Sequence, residues 1–74
     1  MKFNPKTLGA RIRLARDHRG WTQYRLRAEA RIGGSNQVAD IEDGKRPEVS
    51  MEMIVRIADV LEVSLDELVG SPRV

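Results

Sequence analysis

The feature that most constrains this chain is the placement of glycine between positions 20 and 44. Glycines at 20, 33, 34 and 44 divide this region into two short segments, and the apolar residues within each segment recur at helical spacing. Glycine enters the left-handed backbone region without a steric penalty, so it often follows the last turn of a helix. The region therefore predicts a helix, a tight turn at Gly33-Gly34, a second helix and a stop at Gly44.

Capping residues extend this prediction to five helices and no strand. Four segments with helical apolar spacing are each preceded by a short polar residue: Asn4, Thr22, Ser50 and Ser64. Side chains of this kind can accept a hydrogen bond from the first turn of a helix. The first three helices are expected to cover about residues 5–19, 23–31 and 35–43. Glu67, three residues after Ser64, completes a capping box for a short fifth helix. The expected inward-facing residues are Leu8, Ile12, Ala15, Leu26, Ala30, Ile32, Val38, Ile41, Ile54, Ile57, Ala58 and Leu61.

Length and composition exclude several classes of protein. The 74 residues are enough for one domain, for which we expect a core over about 5–69 and a frayed tail over 70–74. With no cysteine and one histidine, the chain offers no donor set for a metal and no nucleophile with a partner base, so we expect no cofactor and no enzymatic activity. The absence of a long apolar run and of a signal peptide favours a soluble cytoplasmic protein.

The net charge of +2 conceals an uneven distribution of charge along the chain. Residues 1–33 carry nine basic and two acidic side chains, whereas residues 34–74 carry four basic and nine acidic ones. The first part is therefore strongly basic and the second acidic. A basic end is suited to binding phosphate, although two solvated faces of opposite sign would give the same distribution.

Taken together, these residues resemble the phage repressor and Cro-like family of helix-turn-helix proteins. The resemblance covers about residues 8–69 and rests on an ordered set of positions: Leu8, Ile12, Arg16, Gly20, Thr22-Gln23, Leu26, Ala30, Ile32, Val38, Ile41-Glu42, Gly44, Arg46-Pro47, Ser50, Ile54, Ala58, Leu61, Val63-Ser64 and Asp66-Glu67-Leu68. It implies an all-α, five-helix, lambda-repressor-like domain whose third helix lies in the major groove of DNA. The implied function is that of a sequence-specific transcriptional regulator, in its simplest form a dimeric repressor of a palindromic operator.

The resemblance implies DNA-contacting roles for individual residues. Base contacts are expected at the start and first turn of helix three, from Ser35, Asn36, Gln37 and Asp40. Asparagine can form two hydrogen bonds with adenine, and aspartate can accept one from cytosine. Phosphate contacts are expected near the amino end of helix two and in the loop after helix three, from Gln23, Tyr24, Arg25, Lys45 and Arg46. For Gln23 the physical chemistry agrees, because an amide donor beside a helix amino terminus adds to backbone N–H groups that attract an anion.

An ion pair is also implied, between Arg16 and Glu42, which would tie helix one to helix three. In a partly buried pair of this kind, the loss of one partner leaves the other charge unmatched. Two independent surface charges are the alternative. We expect Arg16→Met to loosen helix three and to weaken operator binding if the pair forms.

Dimerisation is expected because a lone module of this size binds DNA weakly, and two half-sites raise the affinity. The candidate contacts are apolar residues near the carboxyl end that exceed what the core needs: Val60, Val63, Leu65, Leu68 and Val69. The same residues could instead belong to the core. Leu14 faces away from the inward residues of helix one and is a second candidate.

Three departures from the family pattern lie around the turn. Five residues separate Ile32 from Val38, where the family has four, so either the turn bulges at the glycines or helix two ends differently. Arg27 and Arg31 stand where the family prefers alanine and glycine. Helix three is also acidic, which makes it an unfavourable partner for phosphate and leaves non-specific affinity to the basic first half.

Several kinds of protein remain compatible with these residues. A phage repressor, the controller of a restriction–modification system and the antitoxin of a toxin–antitoxin pair all fit. The expected partners are accordingly double-stranded DNA, a second copy of the chain and, for the antitoxin, a cognate toxin or other protein, with no membrane. A protein–protein adaptor that keeps the fold without reading DNA is the alternative from another class, since the long turn and the acidic third helix permit it.

Overall fold

A computed structural model describes residues 4–34, 36–46 and 48–69. Five helices follow one another along the chain, and the described residues contain no strand: α1 (Pro5–His18), α2 (Gln23–Glu29), α3 (Gln37–Glu42), α4 (Met51–Leu61) and α5 (Leu65–Val69). Helix α1 packs against α3, α4 and α5, while α2 packs against α3 and α4. The predicted all-α, five-helix class is confirmed. The predicted frayed tail, residues 70–74, lies outside the described residues.

Side-chain caps begin four of these helices, as the sequence predicts. The Asn4 side chain accepts from the backbone N–H groups of the first turn of α1, at 2.9 and 3.3 Å. Thr22, Ser50 and Ser64 each accept one backbone N–H three residues later, at 3.0, 3.1 and 3.1 Å. The capping box at Ser64 is half formed, because Glu67 contributes its backbone N–H but no return bond from its carboxylate among the described residues.

One apolar core joins all five helices. Its members are buried to 8% exposure or less: Leu8, Ile12, Leu26, Ala30, Ile32, Val38, Ile41, Val49, Ile54, Ile57, Ala58, Leu61 and Leu68. Ala15, predicted to face inward, is only partly buried against this core. Leu68, predicted as a dimer contact, is 1% exposed and packs in the core of the single chain, which is the alternative that the sequence left open. Its contact in a dimer stays a prediction.

Helix α2 ends two residues earlier than predicted, at Glu29. Arg31 has a φ of 58° and occupies the left-handed position that usually holds glycine. Its N–H donates to the Ala28 carbonyl at 3.3 Å, and the Ile32 N–H donates to the Arg27 carbonyl at 2.9 Å. These are the two bonds of a Schellman motif, so the helix closes at Arg31 and not at the following glycines.

Candidate nucleic-acid interface

Helix α3 is held closely against α1 at its carboxyl end, where Gly9 faces the last turn of α3. A Cβ atom on Gly9 would lie closer than 3.0 Å to the backbone of Ile41 and Glu42, so no larger residue fits without displacing one helix. Gly9 was not predicted as a packing residue. The signal was present, because an isolated glycine inside a helical pattern often marks a close backbone approach.

The side chain of Glu42 forms the centre of a buried polar cluster at this junction. Its Oε2 accepts from Arg16 Nε at 2.7 Å, and its Oε1 accepts from Arg16 Nη2 at 3.0 Å. The Glu42 side chain is 0% exposed and that of Arg16 is 10% exposed. The hydrogen bond with Glu42 raises the pKa of Arg16 above its ordinary value, against a smaller lowering by burial. Arg16 Nη1 also donates to the Trp21 carbonyl at 2.7 Å, which connects the pair to the turn before α2.

Gln23 also contacts this carboxylate. Its Nε2 donates to Glu42 Oε1 at 3.0 Å, and the residue is half-buried at the first position of α2. The predicted phosphate donor is thus already bonded inside the protein. One acidic side chain on α3 therefore binds groups from both α1 and α2.

The amino end of α3 is much less constrained. The helix begins at Gln37, two residues later than predicted, so Asn36 precedes the first helical residue. Asn36 is exposed, and its side chain makes no capping bond. Gly34 has a φ of 83°, which favours glycine. The extra residue of the turn is therefore accommodated by an earlier end to α2 and a later start to α3. The predicted base contact Ser35 lies outside the described residues.

The other two predicted base contacts on α3 are half-buried. The Gln37 side chain packs over Gly34, and its Oε1 is buried without a hydrogen-bond partner. Asp40 lies one turn further along, and its backbone carbonyl accepts from the Lys45 N–H at 2.9 Å. Of the base contacts that the structure describes, only Asn36 is exposed.

Arginine side chains stacked on aromatic rings surround α2. The guanidinium of Arg25 lies 4.5 Å from the centre of the Trp21 ring, and its Nε donates to Glu29 Oε2 at 3.2 Å. Tyr24 is 70% exposed, with the Arg27 guanidinium 5.3 Å from its ring centre. Stacking of this kind holds a guanidinium in place without removing its charge. The predicted phosphate contacts Lys45 and Arg46 follow α3 and are exposed and half-buried, respectively.

The predicted dimer residues other than Leu68 are partly buried against the core: Val60, Val63, Leu65 and Val69. Leu14, the second candidate, is 64% exposed. Leu14 and Val63 line one groove between α1 and the α4–α5 turn, together with Ala15 and the basic residues Arg11, His18 and Arg19. Of the carboxyl-end candidates, Val63 and Leu68 thereby share one surface with Leu14.

Two kinds of site are not found in the part of the chain that the structure describes. No helix there is both long and apolar enough to cross a bilayer. No group of three or more histidine or acidic side chains in residues 4–34, 36–46 and 48–69 is placed to hold a metal ion. The polar side chains around α2 and α3 are hydrogen-bond donors, acceptors and cations, the groups that contact phosphates and base edges in DNA complexes.

Comparisons with known proteins agree with this geometry. A family model described as a helix-turn-helix domain matches residues 7–69. The restriction-modification controller protein C.AhdI from Aeromonas hydrophila is 28% identical over 86% of this chain and 94% of its own, with a TM-score of 0.79. Two structures of the clp gene regulator ClgR from Corynebacterium glutamicum are 25% and 26% identical, with TM-scores of 0.81 and 0.79; they cover 90% and 100% of this chain, and 69% and 99% of their own. A search of curated proteins gives no match.

Proposed function

The chain belongs to the helix-turn-helix domain family, and we propose that it is a sequence-specific transcriptional regulator that binds a palindromic operator as a dimer and represses transcription. The observation that carries this proposal is the asymmetry of α3. Glu42 fixes its carboxyl end, whereas Asn36, immediately before its amino end, is exposed. A helix held in this way can enter the major groove amino end first. The matches to C.AhdI and ClgR, over 94% and 99% of their own lengths, support a regulatory role, since one is a controller protein and the other a gene regulator.

In this proposal, base recognition comes from the amino end of α3. Asn36 is the principal base contact, because its exposed amide is free to form two hydrogen bonds with adenine. Asp40 reads a neighbouring base by accepting from cytosine. Gln37 contributes through its amide nitrogen, since its oxygen is turned into the protein. Ser35 remains a predicted base contact.

Phosphate contacts would come from both sides of α3. Tyr24, Arg25 and Gln23 lie at the amino end of α2, and Lys45 and Arg46 lie beyond the carboxyl end of α3. Such contacts place the protein on the duplex and supply affinity that does not depend on sequence. The stacked position of Arg25 on Trp21 reduces the side-chain freedom that binding would otherwise remove.

For the dimer, we propose the groove that Leu14, Val63 and Leu68 line. Val60, Leu65 and Val69, which are partly buried against the core, remain further predicted contacts. An exposed leucine next to a partly buried valine offers apolar area that a second copy would remove from water. Leu14→Glu should therefore shift the protein from dimer to monomer in sedimentation or light-scattering measurements, without unfolding it. A monomeric wild-type protein at the concentration that saturates DNA would contradict this part of the proposal.

The decisive test is selection from a random duplex library, followed by footprinting of the selected sequences. We expect a two-fold symmetric site with half-site centres about 34–36 Å apart. Binding to unselected duplex should weaken steeply from low to physiological salt, because several phosphates are neutralised. Failure to bind any duplex at low salt would contradict the proposal and favour the adaptor function.

A further inference from the structure

We infer that Glu42 is a positioning residue for DNA binding: its buried carboxylate turns the Gln23 amide so that an N–H group faces the phosphate. This inference rests on the proposed function, because it concerns the role of Gln23 at the DNA backbone. It assigns Glu42 a second task besides its ion pair with Arg16. The two tasks are separable, since they use different partners of one carboxylate.

The orientation follows from donor and acceptor chemistry. A glutamine amide carries two N–H donors on nitrogen and an acceptor oxygen, and rotation by half a turn exchanges them. The carboxylate of Glu42 only accepts, so Nε2 of Gln23 must face it, as the 3.0 Å contact shows. One N–H is used there and the other stays available. A phosphate oxygen also only accepts, so an amide with its oxygen outward would be repelled.

The carboxylate can hold this orientation because it is itself fixed on every side. Arg16 binds both of its oxygens, the side chain is fully buried, and the backbone of Glu42 packs against Gly9. The donor that meets the phosphate is therefore oriented before DNA arrives. Orientation in the free protein raises affinity because less freedom is lost on binding.

A double-mutant cycle on DNA binding tests this coupling. The probe is a random-sequence duplex of about 20 base pairs, long enough for two half-sites. Gln23→Ala should weaken binding about tenfold in the wild-type background, as expected for a lost hydrogen bond to a charged group. In the background Arg16→Met with Glu42→Met, the amide is no longer oriented, and Gln23→Ala should weaken binding less than about threefold.

Arg16→Met and Glu42→Met are combined because the double substitution leaves no buried charge without a partner, so the fold is expected to persist. Circular dichroism at the titration temperature checks this directly. Gly44→Ala provides a matched control, since it strains the same end of α3 without touching the carboxylate. In that background Gln23→Ala should still cost about tenfold. A purely structural role for Glu42 predicts instead the same loss from Gln23→Ala in every background.

A second measurement needs only the wild-type protein and its Gln23→Ala variant, which identifies the amide signals by nuclear magnetic resonance. In the free protein, one side-chain amide proton of Gln23 should be protected from exchange with solvent by Glu42. Adding duplex should shift the other proton. Two equally exchanging protons, or equal losses in the cycle, would overturn the positioning role alone. Absence of duplex binding by the wild-type protein would overturn the proposed function as well.

Discussion

The two ends of α3 differ sharply in how they are held. At the carboxyl end, Glu42 is fully buried, bonded to Arg16 and Gln23, and packed against Gly9. At the amino end, Asn36 is exposed and makes no capping bond. In the proposed function this difference separates two requirements, because stability would depend on one end and base recognition on the other. The effects of substitutions at the two ends should therefore differ in kind as well as in size.

The largest effect should come from breaking the ion pair at the carboxyl end. Arg16→Met or Glu42→Gln leaves one buried charge unmatched, and we expect either to lower the free energy of unfolding by about 3–5 kcal/mol. Urea denaturation followed by circular dichroism measures the loss. The matched control is Arg16→Met combined with Glu42→Met, which should recover most of it. Equal losses in the single and paired variants would show that the charges are not coupled.

Gly9→Ala should have the next largest effect. In a freely exposed helix, alanine would be more stable than glycine by about 1 kcal/mol. Here the added Cβ meets the backbone of α3, so we expect a loss of about 1–3 kcal/mol in the free energy of unfolding. The sign of the change, measured by denaturation, decides between the two effects. A stabilised Gly9→Ala variant would mean that α1 and α3 do not approach so closely.

Substitutions at two left-handed positions that end helices should change the free energy of unfolding less. The two changes should have opposite signs. Gly44 has a φ of 73° and Arg31 one of 58°. We expect Gly44→Ala to cost about 1–2 kcal/mol, because a Cβ is strained at this φ and would also crowd Lys6. Arg31→Gly should instead gain about 0.5 kcal/mol, since relief of strain exceeds the entropy added to the unfolded chain. Thermal unfolding measures both, and a destabilised Arg31→Gly variant would contradict the assigned conformation.

The smallest effect on stability should come from the amino end of α3. Asn36→Ala should change the free energy of unfolding by no more than about 0.5 kcal/mol, because the side chain is exposed and unbonded. It should relax the preference for one base in the selected operator, whereas Gln23→Ala should weaken all sequences alike. Competition titrations with single-base variants of the operator measure the difference. Identical behaviour of the two variants would remove the proposed division between base and phosphate contacts.

Local signals in the sequence predicted much of the fold. The caps at Asn4, Thr22, Ser50 and Ser64 and the glycine stop at Gly44 depend on residues close together in the chain, and the structure confirms them. The glycine at position 9 was a local signal, but its partners Ile41 and Glu42 lie more than thirty residues away, so the sequence did not show which helix approaches it. For Leu68 the sequence left both core and dimer open, because helical spacing shows that a residue is apolar but not which surface will cover it. In the structure the residue is 1% exposed and packs in the core.

The sequence by itself determined five helices, their caps, a single apolar core and a basic first half followed by an acidic second half. Only the tertiary structure decided how the long turn is divided between α2 and α3, and that one carboxylate on Glu42 binds Arg16 and Gln23 together. The physical reason is that capping and helical periodicity act over a few residues. The position of a donor beside a buried acceptor depends instead on how three separate helices pack.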